Sequence, residues 1–261
     1  MDLRVFLSQL KAGAYLWASF YRHAPALIAV LLLRPYLVLL ALVAIEPRAS
    51  PASIVRDVLL SVLIVSSVDI IWDLAGNAFS LRFLGILPYL AVSPSTPSLA
   101  LILSYIPRYI IESLLKALEF APLLAIFLGL AQALLYTSAL FALSALAVIP
   151  LLGLSSLVAY SVLASKEETV WLDRLAPLIL LVSGAIYPVS LLPPWLRALS
   201  RALPTTYLFE MAHAVTEGSF TSGSFLALSA MFLTTSMLFN IIFQFLVSRG
   251  EAELIRRGVH V

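Results

Sequence analysis

The sequence contains no cysteine, so disulfide and thiolate chemistry are closed to it and redox compartment leaves no trace. Charge is scarce too. Asp, Glu, Lys and Arg make up 11% of the 261 residues, where a soluble globular domain carries about 25%. The net charge of +2 is small and dispersed, which argues against a nucleic-acid partner. No G-x-x-x-x-G-K-[ST] loop is present to cradle nucleotide phosphates, and neither H-E-x-x-H nor G-x-S-x-G occurs. The histidines, His23, His213 and His260, fall towards segment ends or tails, an arrangement ill suited to one buried metal site. There is no internal repeat and no low-complexity tract. With no convergent catalytic set, an enzyme acting on lipid is disfavoured.

What is abundant is apolar sequence: 62% hydrophobic residues and a mean hydropathy of +1.03. A membrane-spanning helix needs about 20 mainly apolar residues. The chain therefore reads as one all-α integral membrane domain, 1–261, with six spans near 24–45, 54–78, 106–130, 137–164, 172–191 and 224–247. The first run, Ala24 to Ile45, exceeds a signal-peptide core of about 7–15 residues and is expected to stay. Placing the N-terminus inside puts Arg4, Lys11, Arg22, Arg82, Arg108, Lys166, Arg174, Arg249, Arg256 and Arg257 on the cytoplasmic side. Only Arg48, Arg56, Arg197 and Arg201 then face out, so the positive-inside rule favours both termini in the cytoplasm of a plasma-membrane protein.

Residues 1–22 carry Leu3, Phe6, Leu7, Leu10, Ala14, Trp17 and Tyr21 at three- and four-residue spacing, the pattern of an amphipathic helix lying in the interface. Polar residues within the spans mark positions that need partners, because membrane charges pair or face a cavity. Arg34, followed by the kinking Pro35, is one. Asp69 and Asp73, one turn apart, are two more; pairing with Arg34 or Lys116 is favoured over a polar path lining, and that over proton coupling. Arg108, Glu112, Lys116 and Glu119 form an alternating ladder that can neutralise itself along its own helix. Pro122 kinks the third span, Pro150 and Gly153 bend the fourth, and Asn240 and Gln244 suit hydrogen bonds between helices. The tail from Arg249 reads as a short basic end.

The chain is organised around Leu178 to Gly218. An apolar helix is cut at Gly184 and Pro188, and Pro193, Pro194 and Trp195 follow. A short amphipathic piece then sets Leu192, Leu196, Leu199 and Leu203 against Arg197 and Arg201. Pro204 stops it, and a second short helix runs from Thr206 to Val215. Interrupted backbone at membrane depth must sit against protein or line a cavity, since each bare polar group costs several kcal/mol in lipid. Glu210 and His213, one turn apart on the second piece, are expected to pair, with histidine supplying sensitivity near neutral pH.

This stretch, through Ser183, Gly184, Tyr187, Pro188, Pro193, Pro194 and Trp195, with Pro204, Tyr207, Glu210 and Gly218 after them, resembles the permease subunits of ABC type-2 exporters. The family commonly has Arg three residues after the glutamate, where this chain has His213. A second resemblance covers residues 79–105, where Arg82, Phe83, Gly85, Leu90, Ser93 and Pro94 are similar to the family's cytoplasmic coupling segment. Ile86, Leu87 and Pro88 replace its usual threonine and glutamate. The resemblance implies re-entrant outer helices over 184–218 acting as a gate, and a dimer with a second permease, identical or not. It implies separate ATP-binding subunits that hold ATP and Mg, with no cofactor on this chain. An ATP-independent secondary transporter or channel is the alternative, although such carriers usually show two related halves with matching breaks.

Overall fold

A computed structural model describes residues 3–23, 50–83, 97–164, 175–185, 189–219 and 223–256, with isolated positions between 26 and 44. Everything regular among them is helical. The helices are α1 (Leu3–His23), α2 (Pro51–Phe83), α3 (Pro97–Leu128), α4 (Leu130–Leu146), α5 (Val148–Ala164), α6 (Leu175–Val182), α7 (Pro194–Ala202), α8 (Pro204–Thr216) and α9 (Gly223–Arg256), with a 3-10 turn at Val189–Leu191.

Proline and glycine place most of the joints. Pro51, Pro97, Pro194 and Pro204 each open a helix, where a missing N–H costs nothing and the fixed φ helps. Gly129, at φ 81, separates α3 from α4, in a backbone region that glycine enters without penalty. This moves a boundary: the gap expected between spans three and four, residues 131–136, is helical, and the turn is the glycine before it. The expected fourth span is itself two helices divided at Ala147, because Pro150, in the first turn of α5, cannot continue the α4 hydrogen-bond ladder. Helix α2 also runs on to Phe83 and α3 begins at Pro97, so the connection expected over 79–105 is shorter at both ends. No breaker stands between Phe79 and Phe83, and Pro97 suits a first turn.

Two apolar layers stack along α2. Val55, Leu59 and Leu63 of its first half meet Phe120, Leu123 and Leu124 from the far end of α3, with Leu140, Leu208, Phe209 and Phe232. Ile70 and Leu74 of its second half meet Leu101, Tyr105 and Tyr109 from the near end of α3, with Leu151, Leu154 and Val158 of α5. Helices α2 and α3 therefore run antiparallel. Helix α8 is the most enclosed element: Pro204 to Phe209, Met211, Ala212 and Val215 are all buried.

Helix α9 is held along one side and open on the other. Asn240 clips it to α5, donating Nδ2 to the Ile149 carbonyl at 2.7 Å and accepting the Gly153 N–H at 2.9 Å. Its end reaches the start of α3, where buried Glu251 accepts the Ser98 N–H at 3.0 Å. The tail expected to begin at Arg249 is thus helical to Arg256 and in part structural. The opposite face of α9 exposes Leu226, Met237, Leu238, Ile241, Ile242 and Phe245.

Among the described residues two stretches are long and apolar enough to cross a membrane, Leu130–Ser161 across α4 and α5, and Gly223–Ala252 in α9. That is fewer, among the described residues, than the six spans expected, and most of the first expected span, 24–45, lies outside them.

Candidate functional site

Polar groups collect in two places. The first lies where α1, α2 and α3 meet. Arg108 bridges Asp73 at 2.7 Å and Glu112 at 2.6 Å, and its guanidinium lies 4.3 Å from the centre of the Trp17 ring. Trp17 in turn meets Tyr105 edge to face at 5.2 Å, and Gly13 lets α1 close against the Ser104 backbone, where a Cβ would collide. Two turns along α3 from Arg108, Lys116 reaches Asp69 and the Ser66 hydroxyl, both at 3.3 Å. Asp69 thus takes Lys116, one of its two expected partners. Asp73 takes Arg108, a residue read as part of a ladder confined to α3. Charges of this kind, mostly shielded and matched by an opposite sign and hydrogen bonds, hold helices in register. Among the described residues the buried Tyr109 hydroxyl beside them has no hydrogen-bond partner. Arg34 lies outside the described residues.

The second place is the break after α6. Ser183 and Gly184 end the helix with Gly184 at φ 82, and the Ala185 N–H reaches back to the Leu180 carbonyl at 3.3 Å. This is a Schellman ending, in which a glycine in left-handed backbone lets the last carbonyls find donors. Gly218, at φ 72, ends α8 in the same way, with Ser219 N–H on Ala214 O at 2.9 Å and Gly218 N–H on Val215 O at 3.2 Å. Between them the chain is laced to itself. Arg197 Nη2 donates to the Ser190 and Leu192 carbonyls at 2.6 and 3.2 Å. Thr206 Oγ1 donates to the Ser200 carbonyl at 2.6 Å, and the Tyr207 hydroxyl to the Arg201 carbonyl at 2.9 Å. The α7–α8 corner is therefore braced at several points.

A cavity of about 380 Å³ opens beside this corner. Arg56 from the start of α2 lines it, with Arg197 and Arg201 from α7, Glu210 and His213 from α8 and Glu217 capping the end of α8. Glu210, His213 and Glu217 recur at three- and four-residue spacing and share one face. Among the described residues none of these five Arg and Glu side chains forms a salt bridge; those found all belong to the first cluster. The expected Glu210–His213 pair is not made: the carboxylate that acts on His213 is Glu217, one turn further on. Burial, with Arg56 nearby, holds the His213 imidazole below its ordinary value against the opposing pull of Glu217.

Of the residues expected at the break, Gly184 is buried at the helix end, Pro193 precedes α7, Pro194 opens it and Pro204 opens α8. Tyr187 and Pro188 lie outside the described residues. Of the leucines expected on the apolar side of the short piece, Leu192, Leu196 and Leu203 are half-buried and Leu199 is exposed; Leu191 and Trp195 nearby are exposed too, Trp195 at 69%. In the other expected segment, Arg82 and Phe83 end α2, while Gly85, Leu90, Ser93 and Pro94 fall outside the described residues. Sequence reasoning missed Arg56 and Glu217 as parts of the cavity. Glu217 was within reach, seven residues after Glu210 on the same face; Arg56 was not, because it arrives through the packing of α2 on α8.

No family model matches the chain, and neither the curated proteins nor the solved structures give a match.

Proposed function

We propose that this chain is the membrane-embedded subunit of an ATP-driven exporter, working as a dimer with a separate ATP-binding subunit. The observation that carries the membrane part is the exposed face of α9. Its large apolar side chains point away from the protein, Leu226 at 74% exposure, over a stretch long enough to cross a bilayer. Contiguous apolar faces of this kind are ones that monomeric soluble proteins rarely leave open. Helix α3 adds Ile110, Leu114 and Leu118 at four-residue spacing. Asp69 and Asp73 of α2 pair with Lys116 and Arg108 of α3, as charges in lipid must. On this reading the spans number six, both termini are cytoplasmic, and α7 and α8 lie at the outer side.

The exporter part rests on the residue order around the break and on Arg82 to Pro94, which would sit against the ATPase. Braced short helices between a Schellman ending and α9 give that resemblance a physical counterpart, a compact element suited to gating an exit. The test is affinity purification of the chain from its own membranes in mild detergent, followed by mass spectrometry of what stays bound. A stoichiometric partner bearing a G-x-x-x-x-G-K-[ST] loop, lost when residues 82–94 become a glycine-serine linker, is the expected result. A chain that emerges alone even after crosslinking overturns the exporter, and flux driven by a proton gradient in liposomes of this chain alone would replace it with a secondary transporter.

A further inference from the structure

We propose that the cavity beside the α7–α8 corner binds the head group of a zwitterionic phospholipid, with its arginines taking the phosphate and its glutamates the amine. The cavity, at about 380 Å³, falls in the range of small-ligand pockets, about 300–1,000 Å³. Three guanidinium groups and two carboxylates line it, and none is matched by another through a salt bridge. Elsewhere in the same protein such charges do pair, as Arg108 and Lys116 show. Here they stand around a common space, and Arg197 is itself held in place. The Arg197 guanidinium is tethered to two carbonyls, and α7 is tied to α8 through Thr206 and Tyr207. A guanidinium and a helix corner fixed before the ligand arrives lose little on binding it.

The sign pattern selects the ligand. A simple anion would leave Glu210 and Glu217 facing like charge, and a simple cation would face Arg56, Arg197 and Arg201. A group with a phosphate and an ammonium a few ångströms apart satisfies both sets, and guanidinium forks match phosphate oxygens in pairs. The acyl chains have somewhere to go. Leu191, Trp195 and Leu199 lie exposed on the segment that carries Arg197 and Arg201, and tryptophan favours the level of the head groups. A free amino acid would use the charges and leave that apolar side bare.

The inference rests on the membrane part of the proposed function and on none of its ATP dependence. The two fail separately: probe binding by a chain that purifies without an ATPase sinks the exporter and keeps the head-group site, and the converse result does the opposite. The full chain in a maltoside detergent is titrated with dihexanoyl-phosphatidylethanolamine, dihexanoyl-phosphatidylglycerol, hexylammonium, O-phosphoethanolamine and inorganic phosphate. Binding is read from tryptophan fluorescence and from the melting temperature. The ethanolamine lipid should bind about tenfold or more tighter than the glycerol lipid or hexylammonium, the scale of one charge-assisted contact. Arg201→Gln should weaken both lipids about tenfold, whereas Glu210→Gln should weaken the ethanolamine lipid alone. Glu217→Gln, at an exposed position, serves if Glu210→Gln does not fold. Equal affinity for the two lipids, or equal effects of the Arg and Glu variants on both, overturns the proposal. So does binding of inorganic phosphate or O-phosphoethanolamine as tight as that of the lipid, which would assign the cavity to a free phosphate ester.

Discussion

Asn240 gives the sharpest handle on how α9 is fastened. Its amide contacts two backbone groups of α5, the Ile149 carbonyl and the Gly153 N–H, which are four residues apart and so are helical partners of one another. Asn240→Ala removes both contacts, each worth about 1 kcal/mol net. The two backbone groups can then close on each other, so the full penalty for stranded polar groups does not apply, and a loss of about 1–2 kcal/mol is expected. Gly153→Ala acts from the other side. A Cβ there meets Asn240 Oδ1 at 2.9 Å and the Asn240 Cα at 3.0 Å. The side chain can yield but the backbone cannot, which puts the variant in the overpacking range of about 1–3 kcal/mol. In the double variant the clash with Oδ1 is gone while that with Cα remains. The combined loss should therefore fall short of the sum by about 0.5 kcal/mol or more, as contacting residues do. Denaturant unfolding of the four proteins in mild detergent, followed by tryptophan fluorescence, gives the numbers. Additivity within about 0.3 kcal/mol, or a neutral Asn240→Ala, would refute the view that this amide sets the distance between α5 and α9.

Three further outcomes follow from the same geometry. Gly184→Ala, at φ 82, forces a side chain into left-handed backbone and should cost about 1–2 kcal/mol, whereas Gly76→Ala, in open space on a helix, should stabilise by up to about 1 kcal/mol; equal effects in thermal melts would refute the role of the Schellman ending. Glu251→Ala removes the acceptor for the Ser98 N–H and should cost about 0.5–2 kcal/mol, the range for losing a helix N-terminal acceptor; an unchanged unfolding midpoint would count against it. His213 is held below its ordinary value of 6.5, so the unfolded chain takes up the proton first as pH falls. Its neutral form is the one that suits the fold: stability is full above 6.5 and drops as pH descends from there towards the lowered folded value. Melting temperatures taken from pH 7.5 downwards should show this fall, and His213→Gln should flatten it; identical profiles would remove the histidine as the cause.

How much of this was legible in the sequence depends on whether a feature is local. The helix break at Gly184, the boundary at Pro204 and the helical class all follow from residues acting on their own backbone, and composition plus proline spacing exposes them, although Pro204 opens α8 ahead of the expected start at Thr206. The ladder on α3 was half legible for the same reason. Spacing by four finds Glu112 for Arg108, because both stand on one helix. Asp73 comes from an antiparallel neighbour, 35 positions away in the chain, and no periodicity encodes that. The single guanidinium takes both carboxylates. The cavity carries the same lesson further. Glu210 and His213 looked like a pair when only their own helix was in view, yet α8 lies braced against α7 and α2, and three arginines reach the space in front of it. Charges that local spacing would join are spread around a common void, and that void, which no single segment contains, is what gives this corner something to bind.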